Sequence, residues 1–89
     1  MIDSDDRRRE NRAELRRTAH DLFDRIWQNP HAPAFARDAS YKWLACQMGL
    51  SHRQCHFGKL HNHQLRKAIT ALQHTNWGII NTWWQLQSM

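Results

Sequence analysis

The chain has 89 residues, one domain's worth, and at this size folding buries only a little over ~60% of the surface that the unfolded chain exposes, which argues against a deep catalytic cleft. Its composition, 40% hydrophobic with five tryptophans against 24% charged, is globular and not that of a disordered tail, and no apolar run approaches the ~18 residues of a membrane span. The net charge of +5 is unevenly placed: every acidic residue lies at or before Asp38, so the whole excess sits in residues 39–89 with Lys42, Arg53, Lys59, Arg66 and Lys67.

A one-signed field of this kind speeds encounter with a polyanion. His52, His56, His61, His63 and His74 fall in the same half and add positive charge wherever they protonate beside an anion. Two cysteines, Cys46 and Cys55, are too few for a disulfide scaffold, and the opening Met1-Ile2-Asp3-Ser4-Asp5-Asp6 lacks the apolar run of a signal peptide. The expectation is a cytoplasmic protein with reduced thiols and no membrane partner.

In chain order, the first element is a helix over about 5–28. Leu15, Ala19, Leu22, Phe23, Ile26 and Trp27 recur at three- and four-residue steps and form one stripe. Ser4 is placed to cap it, Asp5 and Asp6 suit its dipole, and Asn29-Pro30 stops it. Its other face alternates sign, with Asp21 set to pair with Arg17 and Arg25. A linker follows over 29–37, with restricted backbone freedom at Pro30 and Pro33.

A second helix is expected from Asp38 as N-cap through Tyr41, Leu44, Ala45 and Met48 to a left-handed stop at Gly49, with Leu50 folding back behind it. Ser51-His52-Arg53-Gln54 has the form of a capping box and predicts a third, short helix ending near Gly58. Two short helices about a glycine turn make a helix-turn-helix-like pair. In that reading Leu44, Met48, Leu50 and Cys55 point inward, while Ser51, His52, Arg53, His56 and Phe57 point outward toward base edges and phosphates.

Asn62 is expected to cap a further helix, in which Leu65, Ala68, Ile69 and Leu72 keep helical spacing. The tail over 76–89 favours a short helix capped by Asn76, since no partner strand is evident. Its Trp77, Trp83 and Trp84 either pack on the first helix or form an exposed protein-binding patch. The fold class is therefore all-α: one domain over 1–89, of four to five helices, with a basic helical part over 38–75.

Two chemistries are weighed and set aside. Cys46, Cys55, His56, His61 and His63 are residue types that hold zinc, but their spacing is not that of a zinc site, and Cys55 falls on a core position. No cofactor is expected; were a metal bound, Cys46, Cys55, His61 and His63 are its candidate ligands. Nor is an enzyme expected, because no carboxylate follows Asp38 to hold a hydrolytic Mg²⁺, and Cys55-His56 are adjacent on a helix, pointing about 100° apart.

Ala19-His20 with Phe23 and Trp27, Tyr41-x-Trp43-Leu44-Ala45-x3-Gly49-Leu50, Cys55-His56-Phe57-Gly58 and Leu65-Arg66-Lys67-Ala68-Ile69 together resemble the helical half of a bacterial and phage domain family described as zinc-finger-containing and of unknown function. The similarity spans about residues 13–72. In that family a Cys-x2-Cys ribbon usually precedes the helical half; this chain has none, so the family's zinc carries over to no position here. The resemblance implies a small accessory protein of a phage or mobile element, working in a bacterial host cell, and supplies no activity.

The expected function is a non-enzymatic binding module. Lys42, Ser51, His52, Arg53, His56, Lys59, Arg66 and Lys67 are the candidate contacts to nucleic acid. The alternative is an inhibitor or adaptor that uses the same basic face against an acidic protein or nucleoprotein complex, with Trp77, Trp83 and Trp84 as the docking patch. A homodimer is compatible with either reading.

Overall fold

The structure, a computed structural model, describes residues 4–87, with side chains from Asn11 onward. Four helices are present among the described residues: α1 (Ser4–Trp27), α2 (Ala36–Met48), α3 (Asn62–Gln73) and α4 (Trp77–Gln87). The all-α expectation holds, with one fewer helix between α2 and α3 than the capping-box reading asks for.

α1 buries the stripe its periodicity marks. Ala19, Phe23 and Ile26 are in the core, with Leu15, Leu22 and Trp27 packed half-buried beside them. It ends where Asn29 Oδ1 accepts from the His31 N–H at 2.9 Å, a side-chain turn just ahead of the first proline's exit. The expected cap at Ser4, with Asp5 and Asp6, lies outside the described side chains. The expected pairing of Asp21 with Arg17 and Arg25 is not formed among the described residues, where Asp38 and Lys42 make the recorded ion pair.

α2 begins three residues earlier than the Asp38 cap would place it. The N-cap is Phe35, which has no side-chain cap bond, and Asp38 stands inside the first turn with its carboxylate 3.1 Å from Lys42 Nζ. There it meets both the positive end of the helix dipole and a cation one turn on. The C-terminus is as expected: Gly49 has φ +67°, the Leu50 N–H donates to the Ala45 carbonyl at 2.9 Å, and the Gly49 N–H donates to that of Cys46 at 3.2 Å. This is a Schellman stop, and its positive φ explains the glycine.

The segment 50–61 corrects the sequence reading. Ser51 and Gln54 do make the reciprocal bonds of a capping box: the Ser51 N–H donates to Gln54 Oε1 at 3.0 Å, and the Gln54 N–H to Ser51 Oγ at 3.2 Å. No helix follows; the backbone turns at 52–54 and again at 57–59. Cys55, Phe57 and Leu60 are all buried, a two- and three-residue rhythm that one face of a helix cannot present. Phe57, expected outside, is 2% exposed and meets Phe23 at 5.5 Å and Tyr41 at 6.0 Å between ring centroids. Burying that ring against α1 and α2 outweighs the few hydrogen bonds a two-turn helix would gain.

α3 starts one residue before the expected Asn62 cap. His61 is the N-cap, and its N–H donates to Gln64 Oε1 at 2.9 Å. Leu65, Ala68 and Leu72 enter the core as the spacing requires, and the α1–α3 contact is the most extensive between elements. Asn76 caps α4 as expected, its Oδ1 accepting from the Ile79 N–H at 2.9 Å. α4, however, packs chiefly on α2, with Ile80 fully buried in the core, while Trp77 lines a cavity with Leu22, Arg25 and Ile26 of the first helix. None of the helices of the described residues is long and apolar enough to cross a membrane.

Candidate functional site

Three elements meet at an aromatic cluster. Phe23 from α1 lies 4.3 Å from Tyr41 of α2, centroid to centroid, and Phe57 closes the group from the irregular segment. Over this cluster, facing outward, opens a cleft of about 140 Å³ lined by Arg37, Asp38, Tyr41, His52, Cys55 and His56. It is bounded by α2 on one side and by residues 52–56 on the other.

Arg37 is exposed, and its guanidinium carbon lies 5.0 Å from the Tyr41 centroid and 5.9 Å from that of Trp27. It also hydrogen-bonds the Tyr41 side chain, which leaves its remaining N–H donors for other partners. No carboxylate pairs with it among the described residues: Asp38 is engaged by Lys42, and Asp24 accepts from the Trp27 indole N–H at 2.9 Å. His52 lies roughly parallel to Tyr41 with centroids 6.4 Å apart, and His56 is at the same distance. Both imidazoles are exposed, and His20 of α1 continues the aromatic edge 4.7 Å from Phe57. Burial raises the Tyr41 phenol above its ordinary range against the opposing charge of Arg37, which keeps it a neutral hydroxyl. Burial likewise pushes the Cys55 thiol up to about 11, leaving it a protonated part of the cleft floor.

The candidate contacts chosen from sequence are thus divided. His52 and His56 are brought together in the cleft; Ser51 and Arg53 are exposed in the same segment, Ser51 being occupied in the capping box. Lys59 is exposed beyond the turn at 57–59 and borders a separate groove with Gln54, Leu60 and Gln64. Arg66 and Lys67 lie on the outer face of α3 with His63, Thr70 and His74, a stripe of exposed residues without an acidic member. Lys42 is turned toward α4, 5.2 Å from the Trp84 ring.

Sequence reasoning missed Arg37, Tyr41 and Trp27. The signal was present in the i,i+4 spacing of Arg37 and Tyr41, which sets a cation over a ring on one helix face.

The tryptophans divide as well. Trp77 and Trp83 are half-buried against the core, and Trp84 is half-buried with Phe35 stacked 6.1 Å from it. Of its large hydrophobic side chains α4 leaves Ile79 at 50% and Leu86 at 59% exposed, and Phe35 at the start of α2 is exposed at 42%.

A zinc-finger-containing domain family matches residues 8–75, from within α1 to just past α3. The chain belongs to that family. No curated protein and no solved structure matches the chain. A family described by its zinc finger invites a test of the donors, and the residues do not fit one. Among the described residues no three of His, Cys, Asp and Glu are grouped as a metal requires. Cys55 is buried at 2% exposure while Cys46 is exposed on α2. His61 and His63 stack on each other with centroids 6.1 Å apart. Among the described residues Cys46, Cys55, His61 and His63 are therefore not gathered as the ligands of one metal.

Proposed function

We propose that this protein is a non-enzymatic nucleic-acid-binding module that grips the phosphate backbone. The observation that carries the reading is the exposed stripe of His63, Arg66, Lys67, Thr70 and His74 on α3, which has no acidic member, with Arg53 exposed in the preceding segment and no Asp or Glu in the sequence beyond Asp38. Arg and Lys side chains on such a surface take phosphates as their natural partners. Without a helix at 51–58 the expected base-reading element is absent, so contacts to the backbone carry the affinity and sequence preference is weak.

The test is fluorescence anisotropy against labelled duplex and single-stranded DNA and RNA at ~50 and ~200 mM salt. Four phosphate contacts on duplex DNA give a log–log slope of about −3.6 and a loss of roughly 150-fold across that range. Arg53→Ala with Lys67→Ala should flatten the slope; an unchanged affinity and slope would refute the reading.

A specific feature favours one other reading, a protein-docking adaptor. α4 carries no charged residue and leaves Ile79 and Leu86, seven residues apart on one helix face, exposed. Such a patch suits a protein partner. Ile79→Ser with Leu86→Ser should then abolish partner capture while the thermal midpoint stays in place.

A further inference from the structure

We propose that the cleft of Arg37, Tyr41, His52 and His56 is a receptor for a terminal phosphate of a nucleic acid, a phosphomonoester and not a phosphodiester within the chain. The inference rests on the nucleic-acid reading above and narrows it to one chemical group. Size is the first argument. At about 140 Å³ the cleft has less than half the ~300 Å³ at which sites for whole small molecules begin, so it takes a single group and not a nucleoside. A phosphate inside a strand must leave on both sides; one at an end enters alone.

Donor chemistry is the second argument. A monoester carries about −1.5 to −2 charges near neutral pH and three strong acceptor oxygens. The cleft offers a guanidinium edge, two imidazoles and a phenolic hydroxyl, and burial favours the protonated form of that hydroxyl. Its one carboxylate, Asp38, is neutralised by Lys42 at 3.1 Å. Arg37 itself has no ion pair to break among the described residues, so an anion meets a cation already set against the Tyr41 and Trp27 rings.

The experiment compares oligonucleotides of one sequence ending in a 5′-phosphate, a 3′-phosphate or hydroxyls at both ends, each labelled away from the end under test, by anisotropy with the full chain. A phosphorylated end should bind about tenfold more tightly than the hydroxyl form. Arg37→Ala and, separately, His56→Gln should remove that preference while retaining salt-dependent binding through Arg66 and Lys67. Equal affinity for all three oligonucleotides would overturn the terminal-phosphate assignment and leave the backbone reading standing. No binding of any at ~50 mM salt would overturn both. A preference that survives both variants would place the receptor elsewhere and refute this site. A phosphoserine peptide that competes as well as the phosphorylated strand would reassign the cleft to phosphoproteins.

Discussion

Tyr41 supports Arg37 from one helical turn away, ring centroid to guanidinium carbon 5.0 Å, and is itself backed by Phe23 at 4.3 Å. The cation on the surface is thereby tied to the core of α1 through a stack of two rings. Its position depends on packing more than on any hydrogen bond to a loop, which is why the irregular segment beside it does not blur the site.

Removing the Phe57 ring separates the two accounts of residues 51–58. On the surface of a short helix, Phe57→Ala would change stability by less than about 0.5 kcal/mol. Buried against Phe23 and Tyr41, its loss should cost about 3–5 kcal/mol, read as a lower urea midpoint with little change in slope. Phe57→Leu, which keeps most of the volume, should retain much of that stability.

Ser40 is fully buried in α2, and its hydroxyl has no hydrogen-bond partner among the described residues. Ser40→Ala removes an unsatisfied polar atom and installs the best helix former. The expected gain is about 1 kcal/mol, or roughly 4–8 °C in the thermal midpoint of a domain this size. A lower midpoint would mean that the hydroxyl contributes a bond in solution.

The two thiols should behave oppositely. Cys46 is exposed and should react with an alkylating agent in the folded protein, whereas Cys55 should react only on unfolding. Burial raises the Cys55 thiol from 9.0 to about 11, so the folded protein keeps a proton that the unfolded chain releases in that interval. Stability from this group is present below pH 9.0 and is lost as pH rises toward 11, by about 2 kcal/mol. Tyr41, also raised, adds a loss of the same sign at the alkaline end. Urea titrations across that window should show the decline, and Cys55→Ala should flatten its lower part.

Because the donors are scattered, a chelator should leave the protein folded. Thermal midpoints in EDTA and in a slight excess of zinc should agree within error, whereas a structural zinc site would lose its folding energy with the metal.

Much of this was legible in the residues themselves. The α1 and α3 stripes, the Gly49 stop and the Asn76 cap follow from local rules, because each concerns neighbours within a turn or two. The Ser51-x-x-Gln54 box was legible too, and it formed; what it could not reveal was that Phe57 would be drawn inward by rings on two other helices, a preference that lies in tertiary packing. Arg37 was overlooked for a related reason. Counted by charge it belongs to the balanced N-terminal half, and only the approach of residues 52–56 to α2 makes it the centre of a cleft. His52 and His56 were chosen from sequence as outward residues of a helix, and they remain outward on a different backbone.

Segment 50–61 is buried at Cys55, Phe57 and Leu60, with Leu50 packed half-buried at its start, while His52, Arg53, His56, Gly58 and Lys59 are exposed. Affinity and foldedness are therefore written at separate positions. A combinatorial library varied at those five residues alone should yield mostly well-folded members with divergent ligands, which makes this stretch a ready-made display loop for engineering new binding specificities onto an unchanged helical frame.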